Sequence, residues 1–195
     1  MMMRRVGITG GIGCGKSTVV AEFEKIGIQC FVADRVAGSY YDDVDFLSEV
    51  RKVFGDSVFH ADGTADKKAI ASLVFADKTL MAKLNALVHP RVMNDFDAFC
   101  RLHYDEPYVL FESAILYDYG LDGCMDSVVC VYLDEEERFR RLLHRDGGDE
   151  KAIRARMACQ MPATEVMMRA NYVVLNYEGN PRARQVAYID KMLRS

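Results

Sequence analysis

The sequence predicts an α/β fold: a parallel sheet of about five strands covered by helices in three layers, carrying a helical insertion and a helical lid. Short apolar runs alternate with helical patterns along the chain. One interval of about seventy-five residues, from Val32 to Tyr108, is longer than any ordinary crossover and shows helical segments but no convincing strand. The total of 195 residues is one domain's worth, so that interval reads as an insertion and not as a second full domain.

The strands are read at Arg5–Thr9, Ile28–Val32, Tyr108–Glu112, Val128–Leu133 and Tyr172–Leu175. Several are rich in Val and Ile without two-residue alternation, as suits parallel strands buried on both faces. After the first, Val19, Val20, Phe23 and Ile26 recur at helical spacing, and Gly27 is placed to end that helix. Within the insertion, the turn Ala61-Asp62-Gly63 precedes a helix carrying Leu80, Leu84, Leu87 and Val88. That pattern runs on toward Val92, Phe96 and Phe99, with Pro90 expected to kink or break it. Asn180 and Pro181 read as N-cap and first residue of a last helix ending near Arg194. The expected division is a core of residues 1–34 and 105–195, an insertion over about 35–104 and a lid over about 138–160.

Composition narrows the function. Half of the residues are hydrophobic and 28% are charged, which suits a folded globular chain. A net charge of −4 argues against an overall electrostatic grip on nucleic acid or an anionic membrane. No apolar stretch approaches the ~20 residues of a membrane span. The opening Met1-Met2-Met3-Arg4-Arg5 leads straight into a strand-like run without a signal-peptide pattern, so the expected compartment is the cytoplasm. The six cysteines are scattered, with no Cys-x-x-Cys pair, which argues against zinc and against a disulfide framework.

The decisive motif is Gly10-Gly11-Ile12-Gly13-Cys14-Gly15-Lys16-Ser17-Thr18, between a strand and a helix. It matches G-x-x-x-x-G-K-[ST], the phosphate-binding loop of P-loop NTPases, so the sheet is read as that type. Its glycines let backbone N–H groups converge on a phosphate, and the following helix presents its positive end to the same anion. Lys16 is expected to reach the β- and γ-phosphates, and the Ser17 hydroxyl to ligate Mg²⁺. Neither the Asp-x-x-Gly and Asn-Lys-x-Asp motifs of a GTPase nor the Leu-Ser-Gly-Gly motif of a transport ATPase occurs. A small kinase remains. Asp34, just past the second strand, is placed to face the γ-phosphate; it equally suits the cap of a helix beginning at Arg35.

Beyond this loop the chain resembles the dephospho-coenzyme A kinase family over nearly its whole length. The likeness rests on Thr9-Gly10-Gly11-Ile12-Gly13, on Phe54-Gly55, Asp62-Gly63 and Asp66-Lys67, and on Leu84-Asn85-Ala86-Leu87-Val88-His89-Pro90. It continues through Arg141-Leu142, Arg145-Asp146, Arg156 to Gln160-Met161, and Ala170-Asn171-Tyr172-Val173-Val174 with Asn176. The resemblance implies transfer of the ATP γ-phosphate to the ribose 3′-hydroxyl of dephospho-coenzyme A. It implies Asp34 as catalytic base, Thr9 near the reacting centre, Asn176 on the adenine side, and His89 and Arg91 in an acceptor pocket within the insertion. The family pattern differs at Cys14, where serine is usual, at Val32 and Asn171, where aspartate is usual, and after the third strand. There Glu112-Ser113-Ala114-Ile115-Leu116 stands; Glu112 is read as holding Mg²⁺ through water or as a structural carboxylate.

Six arginines, Arg138, Arg140, Arg141, Arg145, Arg154 and Arg156, fall within the lid. Arg138, Arg141 and Arg145 share a helix face, and Gly147-Gly148 supplies a hinge for a lid that excludes water. Arg141 and Arg145 are expected to meet phosphate oxygens; the alternative is a solvated face pairing with Glu135, Glu136 and Glu137. Cys14, beside Lys16 and a helix N-terminus, is expected either to carry a lowered thiol pKa, with oxidant sensitivity relieved by ATP, or to be a simple serine replacement. The reading is an ATP- and Mg²⁺-dependent kinase, monomeric or weakly self-associating, using Gly11, Ile12, Gly13, Cys14, Gly15, Lys16, Ser17, Thr18, Arg141 and Asn176 for ATP. The alternatives are a nucleoside or nucleotide kinase, and a P-loop ATP-binding regulatory protein.

Overall fold

The computed structural model describes residues 3–195; Met1 and Met2, from which the sequence was expected to run directly into a strand, lie outside the described residues. Contacts divide the chain into two compact units, one of Met1–Val32 with Cys100–Ser195 and one of Ala33–Phe99.

The first unit is built on β1 (Arg4–Thr9), β2 (Cys30–Val32), β3 (Tyr108–Glu112), β4 (Ser127–Tyr132) and β5 (Tyr172–Leu175). All neighbouring pairs are parallel, in the order β2-β3-β1-β4-β5. The five strands fall where the apolar runs place them, although β2 is shorter, because Ile28 is buried ahead of the strand. β3 lies between β1 and β2 and is buried at every residue, which explains its unalternating sequence. The register brings Val32 and Ile8 beside Glu112, and Thr9 beside Cys130, so the carboxyl ends of four strands lie in one row.

One sheet face packs on α1 (Lys16–Lys25) and α9 (Arg182–Leu193). Val19 and Phe23 from α1 and Val186, Ile189 and Leu193 from α9 join Val6, Ile8, Leu110, Val131 and Val174 in one core. Phe23 meets Tyr108 edge-on, with ring centroids 6.5 Å apart. The buried Tyr108 hydroxyl donates to Asp190 at 2.8 Å, tying β3 to α9. Gly27, at φ 88°, follows α1 as expected, but Ile26 is 43% exposed and is not a core residue. α9 starts at Arg182 with Pro181 as its cap. The Asn180 amide donates to the Leu175 carbonyl and does not cap the helix. Three further helices, α6 (Glu135–Asp146), α7 (Glu150–Ala158) and α8 (Ala163–Arg169), follow β4.

The second unit is helical: α2 (Ala33–Ser39), α3 (Val44–Phe54), α4 (Lys67–Ala76) and most of α5 (Lys78–Leu102). Asp43 accepts from the Phe46 N–H, and Asp66 from those of Lys68 and Ala69, capping α3 and α4. Their apolar faces close on Phe46, Val50, Val58, Ile70 and Val74, against Leu80, Leu84, Leu87 and Val88 of α5. The expected turn at Asp62-Gly63 is present, inside an isolated bridge between Phe59 and Ala65. Pro90 does not break α5, which runs for 25 residues through it. Proline forgoes one bond, to the Ala86 carbonyl, and the Arg91 guanidinium donates to the adjoining Leu87 carbonyl at 3.1 Å.

Phe23→Ala, at a fully buried position, should lower stability by about 3–5 kcal/mol. Urea unfolding should show this as a lower midpoint at an unchanged slope.

Candidate active site

β1 ends at Thr9, buried at 1% exposure, and the chain enters the glycine loop. The Cys14 N–H donates to the Gly11 carbonyl at 3.1 Å, and Gly15 adopts the left-handed conformation that starts α1. A Cβ at Gly15 would coincide with the Asn176 amide, so glycine is required there twice, by φ and by space. Lys16 Nζ donates to the Gly10 carbonyl at 2.9 Å and lies 3.7 Å from Glu112 Oε1. Ser17 and Thr18 stand exposed in the first turn of α1, where free N–H groups and the helix dipole favour an anion.

Support comes from behind the loop. The Asn176 Nδ2 donates to the Cys14 carbonyl at 2.7 Å, its Oδ1 accepts from Arg182, and its backbone carbonyl accepts from Arg141 at 3.1 Å. Asn176 is 1% exposed, so its amide is committed to holding the loop; the sequence had read it only as an adenine-side residue. Arg141 is further fixed by Glu137, with Nε 3.0 Å from Oε1.

The α6–α7 hairpin closes on Phe139, Leu142, Ile153 and Met157, with Ile12 packed against that cluster. Gln160 Oε1, just past α7, accepts from the Ile12 N–H at 2.8 Å. Arg138 is buried against Gly11 and Ile12. Neither Gln160 nor Arg138 stands among the site residues expected from sequence. Helical spacing put Arg138 on the face of Arg141, but no local pattern reveals that it is covered.

Other expectations are redistributed. Arg145 is paired with Asp146 at 2.6 Å and is exposed; Arg156 binds the same carboxylate at 2.8 Å, so neither is brought to the loop. Glu137 takes Arg140 and Arg141, and Glu136 takes Arg154, so the alternative of pairing with the glutamates of the first turn describes three of the six, and Asp146 holds two more. Gly147, in the left-handed region, ends α6. Cys14 is 1% exposed, and burial pushes its thiol up, outweighing the lowering by Lys16 and Arg138. Of the two readings, the acidic, oxidant-sensitive thiol is therefore excluded, and a buried, protonated thiol in place of serine remains.

Asp34 is exposed in the first turn of α2, which begins at Ala33 and not at Arg35, so it is not the helix cap. Within the helical unit, His89 is half-buried on α5 and its pKa is lowered by that burial. Arg91 holds Glu49 through two bonds of 3.1 and 2.9 Å and lies over the Phe46 ring, bracing α5 on α3.

The donor set fits a magnesium ion held largely by nucleotide phosphates. Ser17 offers a hydroxyl, and Glu112 offers a carboxylate at the end of β3, 8% exposed. No cluster of three metal-binding side chains occurs among the described residues, as such a site does not need one. A groove of about 540 Å³ between β5 and α9, lined by Tyr172, Arg184 and Tyr188, contains none of these residues. No helix among the described residues is long and apolar enough to cross a membrane.

The family model for dephospho-CoA kinase matches residues 4–181. A dephospho-CoA kinase of Chlorobium luteolum is 36% identical over 192 residues, covering 93% of this chain and 86% of its own. That of Shouchella clausii is 34% identical over 175 residues, covering 88% and 89%. Among solved structures, TT1252 from Thermus thermophilus matches with a TM-score of 0.89 at 29% identity, covering both chains fully. The fold also matches a dephospho-CoA kinase from Campylobacter jejuni, with a TM-score of 0.61 at 20% identity over 98% of this chain and 97% of that one.

Two outcomes follow from the geometry. Under native conditions iodoacetamide should label the exposed Cys124 and Cys159 and spare Cys14 until the protein unfolds, as read by peptide mass spectrometry. Arg145 and Arg156 hold the Asp146 carboxyl down at about 2, against an ordinary 3.8. A depressed folded pKa means that its stabilisation is complete above the ordinary value and is lost as pH falls through about 2. Asp146→Asn should remove that step from the acid limb of a stability curve.

Proposed function

The chain belongs to the dephospho-CoA kinase family, and on that premise we propose how its own residues carry the transfer. The reaction is ATP-dependent phosphorylation of the ribose 3′-hydroxyl of dephospho-CoA, giving coenzyme A and ADP, the last step of coenzyme A biosynthesis. The observation that carries the assignment of roles is the phosphate loop, with Lys16 between the Gly10 carbonyl and Glu112 at the carboxyl ends of β1 and β3.

ATP is held by N–H groups of the glycine loop and the start of α1, those of Gly11, Gly13, Gly15, Lys16 and Ser17, with the Lys16 side chain on the β- and γ-phosphates and Arg141 beside the Asn176 loop. Ser17 would hold Mg²⁺ through its hydroxyl, with Glu112 acting through water, and the ion would supply neutralisation of the nucleotide's phosphate charge. Asp34, two residues beyond Val32, takes the proton of the 3′-hydroxyl as the bond from that oxygen to the γ-phosphorus forms and the bond to ADP breaks. Arg145 exchanges Asp146 for phosphate oxygens when the lid, residues 138–160, excludes water. Its ion pair is exposed, and such pairs are worth only ~0–1 kcal/mol, so the exchange is inexpensive. The helical unit binds the acceptor through His89 and Arg91, and Thr9 serves the reacting centre at the end of β1. The enzyme acts in the cytoplasm, as a monomer or weak homo-oligomer.

With Mg-ATP and a panel of acceptors, ADP release should require dephospho-CoA; turnover with nucleosides alone would make the chain a nucleoside kinase instead. Asp34→Asn should lower kcat by roughly 10²–10⁴-fold at little cost in ATP affinity. Near-normal turnover would leave Asp34 a positioning residue. Lys16→Ala should abolish transfer.

A further inference from the structure

We infer that Arg138 is an additional anion-binding residue of the phosphate loop, a buried guanidinium whose charge is completed by the nucleotide's phosphate chain; the inference rests on reading this loop as an ATP site. The six lid arginines divide sharply. Arg140, Arg141, Arg145, Arg154 and Arg156 are 33% to 76% exposed, and each faces a carboxylate within salt-bridge distance. Arg138 is 4% exposed, and among the described residues no carboxylate pairs with it. Its Nε is buried without a hydrogen-bond partner. Its one bond runs from Nη1 to the Ile12 carbonyl at 3.5 Å, the long limit for such a contact.

A guanidinium does not shed its proton, so burial without a counter-charge is strongly unfavourable. The acids that could relieve it are committed elsewhere. Glu137 holds Arg140 and Arg141, Glu136 faces Arg154, and Glu112 faces Lys16. What Arg138 does touch is the loop. Its guanidinium lies where a Cβ of Gly11 would be, one residue past the Gly10 whose carbonyl holds Lys16 Nζ. Two cations therefore bear on carbonyls two residues apart, those of Gly10 and Ile12, in the segment built to receive phosphate. A planar fork can serve two phosphate oxygens at once. Glycine at position 11 is what lets it approach.

A brace on the Ile12 carbonyl would need a donor, which glutamine also offers; an anion site needs the charge. In full-length protein without acceptor, Arg138→Gln should weaken Mg-ATP binding by about tenfold or more by calorimetry, because a charge-assisted contact is lost. Arg138→Lys should recover most of that loss. Without nucleotide, Arg138→Gln should melt no lower than wild type, since an uncompensated buried charge is removed, while ATP should raise its melting temperature less. Wild-type ATP affinity in Arg138→Gln would overturn the inference. So would a Gln variant that melts lower or fails to fold while Arg138→Lys shows no advantage in ATP binding. Wild-type protein that binds no Mg-ATP would overturn the nucleotide reading of the loop itself, whatever the variants do.

Discussion

The bond from the Asn176 amide to the Cys14 carbonyl is the constraint on which the rest of the site depends. A loop that points its N–H groups inward to an anion must turn its carbonyls outward, and each of those needs a donor. Asn176 supplies one at 2.7 Å and cannot move to do so. Its own N–H is bonded to Tyr132 at the end of β4, its Oδ1 to Arg182 on α9, and its carbonyl to Arg141 on α6. One residue, through its side chain and its backbone, therefore sets the loop in register with the sheet, the last helix and the lid. Preorganisation of this kind places donors before the phosphate arrives, so little ordering remains to be done at binding.

The glycines of the motif are the complement of these supports. At Gly15 the space of a Cβ is filled by the Asn176 amide, and at Gly11 by the Arg138 guanidinium. At Gly10 it is filled by the Val131 carbonyl. The motif is thus required from outside the loop as much as from inside it. A side chain at these positions would displace the groups that hold the backbone in its anion-binding form, before any question of phosphate access arises.

Sheet, helices and phosphate loop were legible because each rests on local pattern: apolar runs, helical spacing, and a glycine-lysine-serine spacing that dictates its own chemistry. What escaped is non-local. Gln160 meets Ile12 across 148 residues of sequence, and Asn176 meets Cys14 across 162. Between the two readings of Cys14 sequence could not decide, because a helix N-terminus and a lysine are visible in it, whereas the burial that outweighs them is not. The break expected at Pro90 follows from its missing N–H, yet packing of Leu84, Leu87 and Val88 before it, burial of Val92 and Phe96 after it, and the Arg91 donor keep the helix whole. For the lid, sequence offered two readings of the arginines, phosphate ligands or acid-paired surface; the structure pairs five of them with carboxylates and buries the sixth, Arg138, which no local pattern foretells.

That division has a physical logic. An exposed arginine on a carboxylate can leave it cheaply, because surface ion pairs in water are worth ~0–1 kcal/mol. Arg141 and Arg145 are therefore suited to a charge that arrives and departs with each turnover. A buried arginine cannot exchange partners so freely, since leaving one anion without gaining another strands a charge in a poor dielectric. Arg138, buried against Gly11 and Ile12, is suited to a fixed task at a fixed place. The same short helix therefore combines a mobile electrostatic response with a stationary one. The formal charge of −4 gives no hint of it, because the acids that balance the lid are the partners its exposed arginines are free to leave.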